Sequence, residues 1–235
     1  MKNEVKEWYE NSYRQNGINA QRRYPNEELL RFLGVNFFNR TTTEDRKTIK
    51  VLEIGCGSCA NLWMIAREGF DAYGLDLSSE ALVLGNEMLK KWDVQAKLHE
   101  GNCLEMPYLN SSFDVVVDVL SMCYVRHDAY LQSIQEVYRV LKKDGLFFSY
   151  TISQNSDDFK DFQPAYKLDA HTLNGIYKHT SPFVGNHYPF HFWDKDHYRQ
   201  TLINQGFSVD YLEVTLKSYF QCTNMFEYLA TYATK

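Results

Sequence analysis

Two glycines one residue apart, Gly55 and Gly57, follow a short apolar run in VLEIGCGSCANL (residues 51–62), and two cysteines, Cys56 and Cys59, are interleaved with them. Two chemistries are open at such a place. Glycine lets a backbone turn sharply and lets a ligand approach where a Cβ would block it. The Cys-x-x-Cys spacing is one used for thiol redox or metal binding. Asp76 ends the next apolar segment, 19 residues beyond Gly57. A carboxylate there can accept hydrogen bonds from both hydroxyls of a ribose, so bend and acid together are the signature of a nucleoside-binding α/β site.

Histidines supply a second set. Four of the seven, His171, His179, His187 and His191, fall within residues 153–193, and His127 follows the apolar run FDVVVDVL. His191 or His127 is placed to act as a general base, with Tyr124 directed into the same cleft; against this stands the plain reading of loop residues that are exposed or hydrogen-bonded. No metal site is expected. His187 and His191 are four apart, but Pro189 lies between them and opposes the helix that would set both on one face.

These groups need elements to hold them. IKVLEIG is a β-branched, apolar run stopped by glycine and predicts a buried strand over 49–54. The pattern continues with a helix near 58–68, strand 71–76, helix 79–91, strands 95–99 and 113–119, helix 128–141 and strand 145–152. Such alternation predicts βαβ units and a mostly parallel sheet with helices on both faces. Residues 1–46 read as a helical cap, 47–152 as the core, 153–193 as an aromatic-rich insert with Pro164, Pro182 and Pro189, and 194–235 as a closing helix and strands, all in one domain. Rings of the insert predict either a lid over a ligand or a small core of its own.

Bulk properties bound the function. A net charge of −5, with no basic run longer than the pairs Arg22-Arg23 and Lys142-Lys143, argues against a nucleic-acid partner. The 17 Tyr, 15 Phe and 4 Trp exceed what a core alone usually takes and suit an apolar pocket for a small organic ligand. Neither a membrane span nor a signal peptide is visible, and five scattered cysteines do not form a disulfide framework, which predicts a soluble cytoplasmic protein with reduced thiols.

Glu53 decides between the nucleotide ligands. A nicotinamide-dependent dehydrogenase would want a small or apolar residue two positions before Gly55, whereas a cationic ligand would welcome a carboxylate; Ala60 also replaces the third glycine of the dinucleotide fingerprint. Taken in order, VLEIGCGSCANL, GLDLS, GN, FDVVVD and LKKDGLF resemble the seven-strand, class I S-adenosylmethionine-dependent methyltransferases, over roughly residues 49–152. The resemblance implies a Rossmann-like seven-stranded sheet and S-adenosylmethionine as cofactor. It implies that Gly55, Cys56 and Gly57 lie beside the methionine moiety with Glu53 behind them, that Asp76 takes the ribose and Leu77 the adenine face, and that Asn102 and Cys103 flank the adenine edge. Asp118 and Val119 would stand near the transferable methyl. Tyr9, Tyr13 and Arg23 of the cap would close over the cofactor, with Arg23 preferred to Arg22 for its carboxylate.

DVLSMCYV stands where some members of the family carry an NPPY-type tetrapeptide, so an exocyclic amine of a nucleobase is not indicated. The expected acceptor is a hydroxyl or amine of a sugar or other metabolite, methylated by in-line displacement. The rival readings are a nicotinamide-dependent oxidoreductase, a cofactor-binding protein without turnover, and thiol chemistry at Cys56 and Cys59.

Overall fold

A computed structural model describes the chain over residues 2–235, with the side chains at positions 2–5, 8, 9, 16 and 20 outside the description, and with them the expectation for Tyr9. Helices α1 (Lys2–Asn16), α2 (Glu27–Leu33) and α3 (Thr43–Arg46) precede the first strand. Asn26 caps α2 by accepting from the amides of Glu28 and Leu29, which accounts for a start one residue after Pro25-Asn26. The helix then widens into a π-turn over Gly34–Phe38.

Alternation then sets in: β1 (Lys50–Ile54), α4 (Leu62–Arg67), β2 (Asp71–Asp76), α5 (Ser79–Lys91), β3 (Lys97–Glu100), β4 (Phe113–Val119), α6 (His127–Val140) and β5 (Leu141–Ile152). Strand β5 begins four residues before the expected 145, because Leu141 pairs with Phe113 across a bulge before the ladder resumes at Val115 and Leu146. The insert contributes α7 (Asp157–Lys160) and a small antiparallel pair, β6 (Thr172–Leu173) with β7 (Phe190–His191). Helix α8 (Lys195–Gln205) is capped by Asp194 and ended by Gly206 in the left-handed region. A hairpin of β8 (Ser208–Tyr219) and β9 (Asn224–Thr234) closes the fold.

The central sheet runs β3-β2-β1-β4-β5-β9-β8. Its first five strands are mutually parallel, and β9 enters antiparallel beside β5. The expected mostly parallel, seven-stranded α/β sheet is therefore the one observed. Strand order reverses between β1 and β4: the chain proceeds outward through β2 and β3 on one side and through β5 on the other. In such sheets the crevice beyond the carboxyl ends of the strands at this reversal is where ligands bind, and the Gly55–Gly57 bend leaves β1 at that point.

Strand alternation distributes the core between the two faces. Val51, Val115, Val117 and Phe148 pack with residues of α2, α4 and α5. Leu52, Ile54, Val116 and Phe147 pack with Tyr130, Ile134 and Val137 of α6 and Tyr198 and Leu202 of α8. Rings of the insert join the first of these clusters through Phe159, Phe190 and Phe192. No helix among the described residues is long and apolar enough to cross a membrane.

Candidate active site

Gly55 and Gly57 both adopt positive φ, 60° and 52°. Space as well as conformation selects glycine at the first: a Cβ on Gly55 would lie 1.8 Å from Ser121 Oγ, so the loop after β4 is seated directly against the bend. A Cβ on Gly57 would lie 3.1 Å from Tyr13 Oη, which brings the cap over the same loop. Asp76 holds the bend from the next strand. One carboxylate oxygen accepts from the Gly57 amide at 2.8 Å and the other from the Ser78 amide at 2.9 Å. Burial raises its pKa while these amide bonds pull the other way.

Glu53 lies behind the bend and is 2 % exposed. Its Oε1 accepts from Asn61 Nδ2 at 2.6 Å, and its Oε2 is buried with no partner among the described residues. Burial pushes its pKa up to about 8, against the pull of Asn61 and of the Arg22 guanidinium. An unpaired carboxylate oxygen beside a glycine bend is the donor-seeking group that the ammonium of an amino-acid moiety satisfies. Asn61 relays the arrangement outward, because its Oδ1 accepts from Arg22 Nη2 at 2.9 Å and from the Asn26 amide at 2.9 Å.

Arg22, then, is the cap arginine that reaches this loop. Arg23 instead donates to Asn19 Oδ1 at 2.7 Å on the surface, and only its backbone carbonyl, accepting from Trp63 Nε1, faces inward. The Arg23 side chain, expected to meet the cofactor's carboxylate, is thus engaged by Asn19 and not by the bend. Neither Arg22 nor Asn61 carries a sequence signal of its own; their roles follow from the turn that places Asn61 under Glu53.

Helix α1 lies across α5 and the end of β3. Arg14 pairs with Glu80 at 2.8 Å, Glu10 accepts from the Ser79 amide and hydroxyl at 3.0 Å, and Lys6 pairs with Glu100. These exposed pairs contribute little energy each, but they fix the register that sets Tyr13 over the bend. Tyr13 stands close to Asp76, Cys56 and Tyr188, and burial raises its pKa far above the ordinary phenol value. Tyr188 in turn meets Tyr124 edge-on at 5.6 Å, and Tyr124 meets Phe190 at 5.4 Å. Tyrosines from cap, β4 loop and insert thus gather at the mouth of the crevice.

Leu77 and Asn102 are half-buried at the ends of β2 and β3. The Asn102 side-chain Oδ1 accepts from the Leu104 amide at 3.0 Å, and Cys103 turns to Ser133 of α6 at 3.5 Å. Asp118 corrects the expectation of a place beside the reacting methyl. It is fully buried on the α6 face, and its Oδ1 accepts from the amides of Ser121 and Met122, both at 3.0 Å. Its work is to shape the loop that meets Gly55, and burial lifts its pKa to about 6. Val119, half-buried, follows it on the other face.

The cysteines pack. Cys56 and Cys59 are buried free thiols, and hydrogen bonding to Cys59 followed by burial drives the Cys56 pKa upward, the opposite of a reactive thiolate. Their sulfurs occupy space left by two glycines: a Cβ on Gly74 would meet Cys56 Sγ at 2.7 Å, and one on Gly85 would meet Cys59 Sγ at 2.7 Å.

His191 and His127 do not face the tyrosine cluster. Along Phe190-His191-Phe192-Trp193, the phenylalanines turn toward Tyr124, Phe183 and Phe159, and His191 and Trp193 turn to the opposite side toward Tyr130 and Tyr198. His191 Nε2 meets His127 Nδ1 at 2.9 Å. Strand alternation turns His191 away from the tyrosine cluster toward His127 at the start of α6, while Tyr124 belongs to that cluster. His187 stacks on Tyr177 at 4.8 Å, apart from this group.

Comparison with known proteins selects among the nucleotide-binding alternatives. The family model described as "Methyltransferase domain" matches residues 51–145, which span the bend, Asp76 and β4. Over this segment the chain is similar to methyltransferase domains. Over 148 residues the chain is 29 % identical to a sterol 4-C-methyltransferase of Caenorhabditis elegans, covering 62 % of this chain and 43 % of that protein. Over 126 residues it is 34 % identical to a demethylmenaquinone methyltransferase of Listeria welshimeri, covering 52 % of each. The chain thus spans about half the length of the curated relatives it matches. A S-adenosylmethionine-dependent methyltransferase of Methanosarcina mazei shares the fold with a TM-score of 0.65 at 22 % identity, over 79 % of this chain and 92 % of that one. The cofactor of such a domain is S-adenosylmethionine.

Proposed function

We propose that the protein transfers the methyl group of S-adenosylmethionine to a small-molecule acceptor whose hydroxyl or amine is presented at the tyrosine-lined mouth of the crevice. One observation carries the reading: the buried, half-paired carboxyl group of Glu53 behind the glycine bend, together with Asp76 at the end of β2, a pair of acceptors that matches the amino and ribose ends of that cofactor. The cofactor supplies an electrophilic methyl on a sulfonium. The chain's residues bind and orient it. Glu53 takes the ammonium, Asp76 exchanges the Gly57 amide for ribose hydroxyls, and Leu77 and Asn102 border the base. Tyr13, Tyr124 and Tyr188 exclude water and hold the acceptor in line, which is mainly a proximity contribution.

Acceptors with an apolar or ring-shaped body and one polar handle suit these walls, in keeping with the sterol and demethylmenaquinone methyltransferases among the relatives; a sugar or other metabolite hydroxyl or amine is the group we place there. Five free cysteines fit a reducing cytoplasm. The test is calorimetric titration with S-adenosylhomocysteine followed by transfer of labelled methyl to a panel of sugars, phenols and amines. Asp76→Ala is expected to weaken S-adenosylhomocysteine more than tenfold while NADH shows no binding to either form. Undiminished affinity in Asp76→Ala, or NADH binding in its place, would overturn the reading; cofactor binding with no turnover on any acceptor would favour a binding protein instead.

A further inference from the structure

We propose that His127, His171 and His191 form a site for one zinc-class transition-metal ion that pins the 153–193 insert to the start of α6. The three residues are far apart in sequence, yet one ring nitrogen of each lies within 4.8 Å of the others. No part of this cluster is used by the transferase reading, since the residues face away from the tyrosine-lined crevice, and the inference stands independently of it.

The chemistry of the donor set points to the ion. Three imidazoles without a thiolate or a ligating carboxylate suit Zn2+ and its neighbours, and the neutral ring is the form that ligates. In a tetrahedral site with metal–nitrogen bonds of about 2.0–2.1 Å, the nitrogens stand about 3.3 Å apart. His127 Nδ1 and His191 Nε2 are already 2.9 Å apart and nearly coplanar, at 11°. The His171 ring, stacked on His127 at 4.3 Å, has to swing inward by up to about 1.5 Å to complete the set.

The surroundings are those of a built site. Asp169 accepts from the His171 amide at 2.8 Å and also from the backbone of His127, so one carboxylate ties both segments together and adds negative charge beside them. Gln154 Nε2 lies 2.8 Å from His171 Nδ1 and holds that ring in place. His191 is fully buried among Tyr130 and Trp193, and its Nδ1 has no partner among the described residues. The exposed ring of His197 lies beside the cluster, its centroid 4.9 Å from that of His171 and 5.7 Å from that of His127.

The test uses the untagged full chain, stripped with chelator and titrated with Zn2+ and separately with Co2+. One equivalent is expected to bind. Co2+ is expected to give the visible absorption of a low-coordinate nitrogen site, and Zn2+ to raise the thermal midpoint in a way that chelator reverses. His127→Ala and His171→Ala, both at half-buried positions, are each expected to lose more than the roughly 10–100-fold in affinity that an outer-shell change costs, with far-ultraviolet circular dichroism reporting that they fold; His187→Ala is expected to bind as the unaltered chain does. Absence of saturable one-to-one binding, or affinity unchanged in both His127→Ala and His171→Ala, would overturn the site.

Discussion

Replacing Gly55 by alanine asks how the bend at the heart of the crevice is held. Gly55 stands at φ 60°, and a Cβ there would lie 1.8 Å from Ser121 Oγ and 2.4 Å from Ser121 Cβ. Two costs arise. A side chain in the left-handed region costs roughly 1–2 kcal/mol, and overlap forced into a packed interior typically costs about 1–3 kcal/mol more. Their sum, about 2–5 kcal/mol, is a large share of the roughly 5–15 kcal/mol by which such a domain is stable. Ser121→Gly separates the two, because it removes both overlapping atoms and leaves only Ser121 Cα at 3.7 Å, an ordinary contact. Ser121→Ala removes the hydroxyl alone and leaves the 2.4 Å overlap. A double-mutant cycle by urea denaturation is therefore expected to show about 1–3 kcal/mol of coupling for Gly55→Ala with Ser121→Gly and little with Ser121→Ala. S-adenosylhomocysteine affinity should recover in the same order. The reasoning is refuted if Gly55→Ala lies within about 0.5 kcal/mol of the unaltered chain, or if Ser121→Ala rescues as well as Ser121→Gly.

Three further outcomes follow from the buried polar groups. Glu53, lifted from 4.5 to about 8, keeps a proton in the folded chain that the unfolded chain releases, so it makes stability fall as pH rises through that window and level off above it; Glu53→Gln is expected to keep the Asn61 bond, flatten that slope in denaturation curves taken across pH, and lose S-adenosylhomocysteine affinity at least tenfold, and parallel curves for the two proteins would contradict this. Asp118→Ala leaves the Ser121 and Met122 amides unpaired in a dry interior and should cost about 2–4 kcal/mol in urea denaturation, a cost under about 1 kcal/mol being inconsistent with the loop-shaping role. In the folded chain a thiol reagent should modify exposed Cys222 quickly and Cys56 and Cys59 only on unfolding; rapid modification of either buried thiol, read by peptide mass, would return thiol chemistry to consideration.

Much of the fold was legible because the physics that sets it is local. β2, α5 and β4 fall on their predicted residues, since apolar runs closed by Gly, Asp or a Ser N-cap mark both their type and their ends. The sequence reading missed features where a partner strand decides. β5 starts at Leu141 only because Phe113 is there to pair with it, and β8, which the run SVDYLEV predicts over 208–214, runs on to Tyr219 because Asn224 lies opposite across a turn of three positive-φ residues. Neither partner is visible from within the segment it extends.

The candidate site divides along the same line. Gly55, Gly57 and Asp76 could be read from spacing because backbone conformation and strand ends constrain them directly. Residue-level direction could not: Asp118 and Val119 are neighbours on one strand, and the period of two that sends one into the α6 face sends the other away from it. The same alternation turns His191 from the crevice while keeping Phe190 on it. A histidine's sequence neighbours say nothing about which face it joins until the strand's register is known, and the register of β7 is set by β6 through Thr172 and His191. That one pairing both turns His191 from the tyrosine cluster and brings it to His127 and His171, so its departure from the crevice and the gathering of the three rings have a single structural cause.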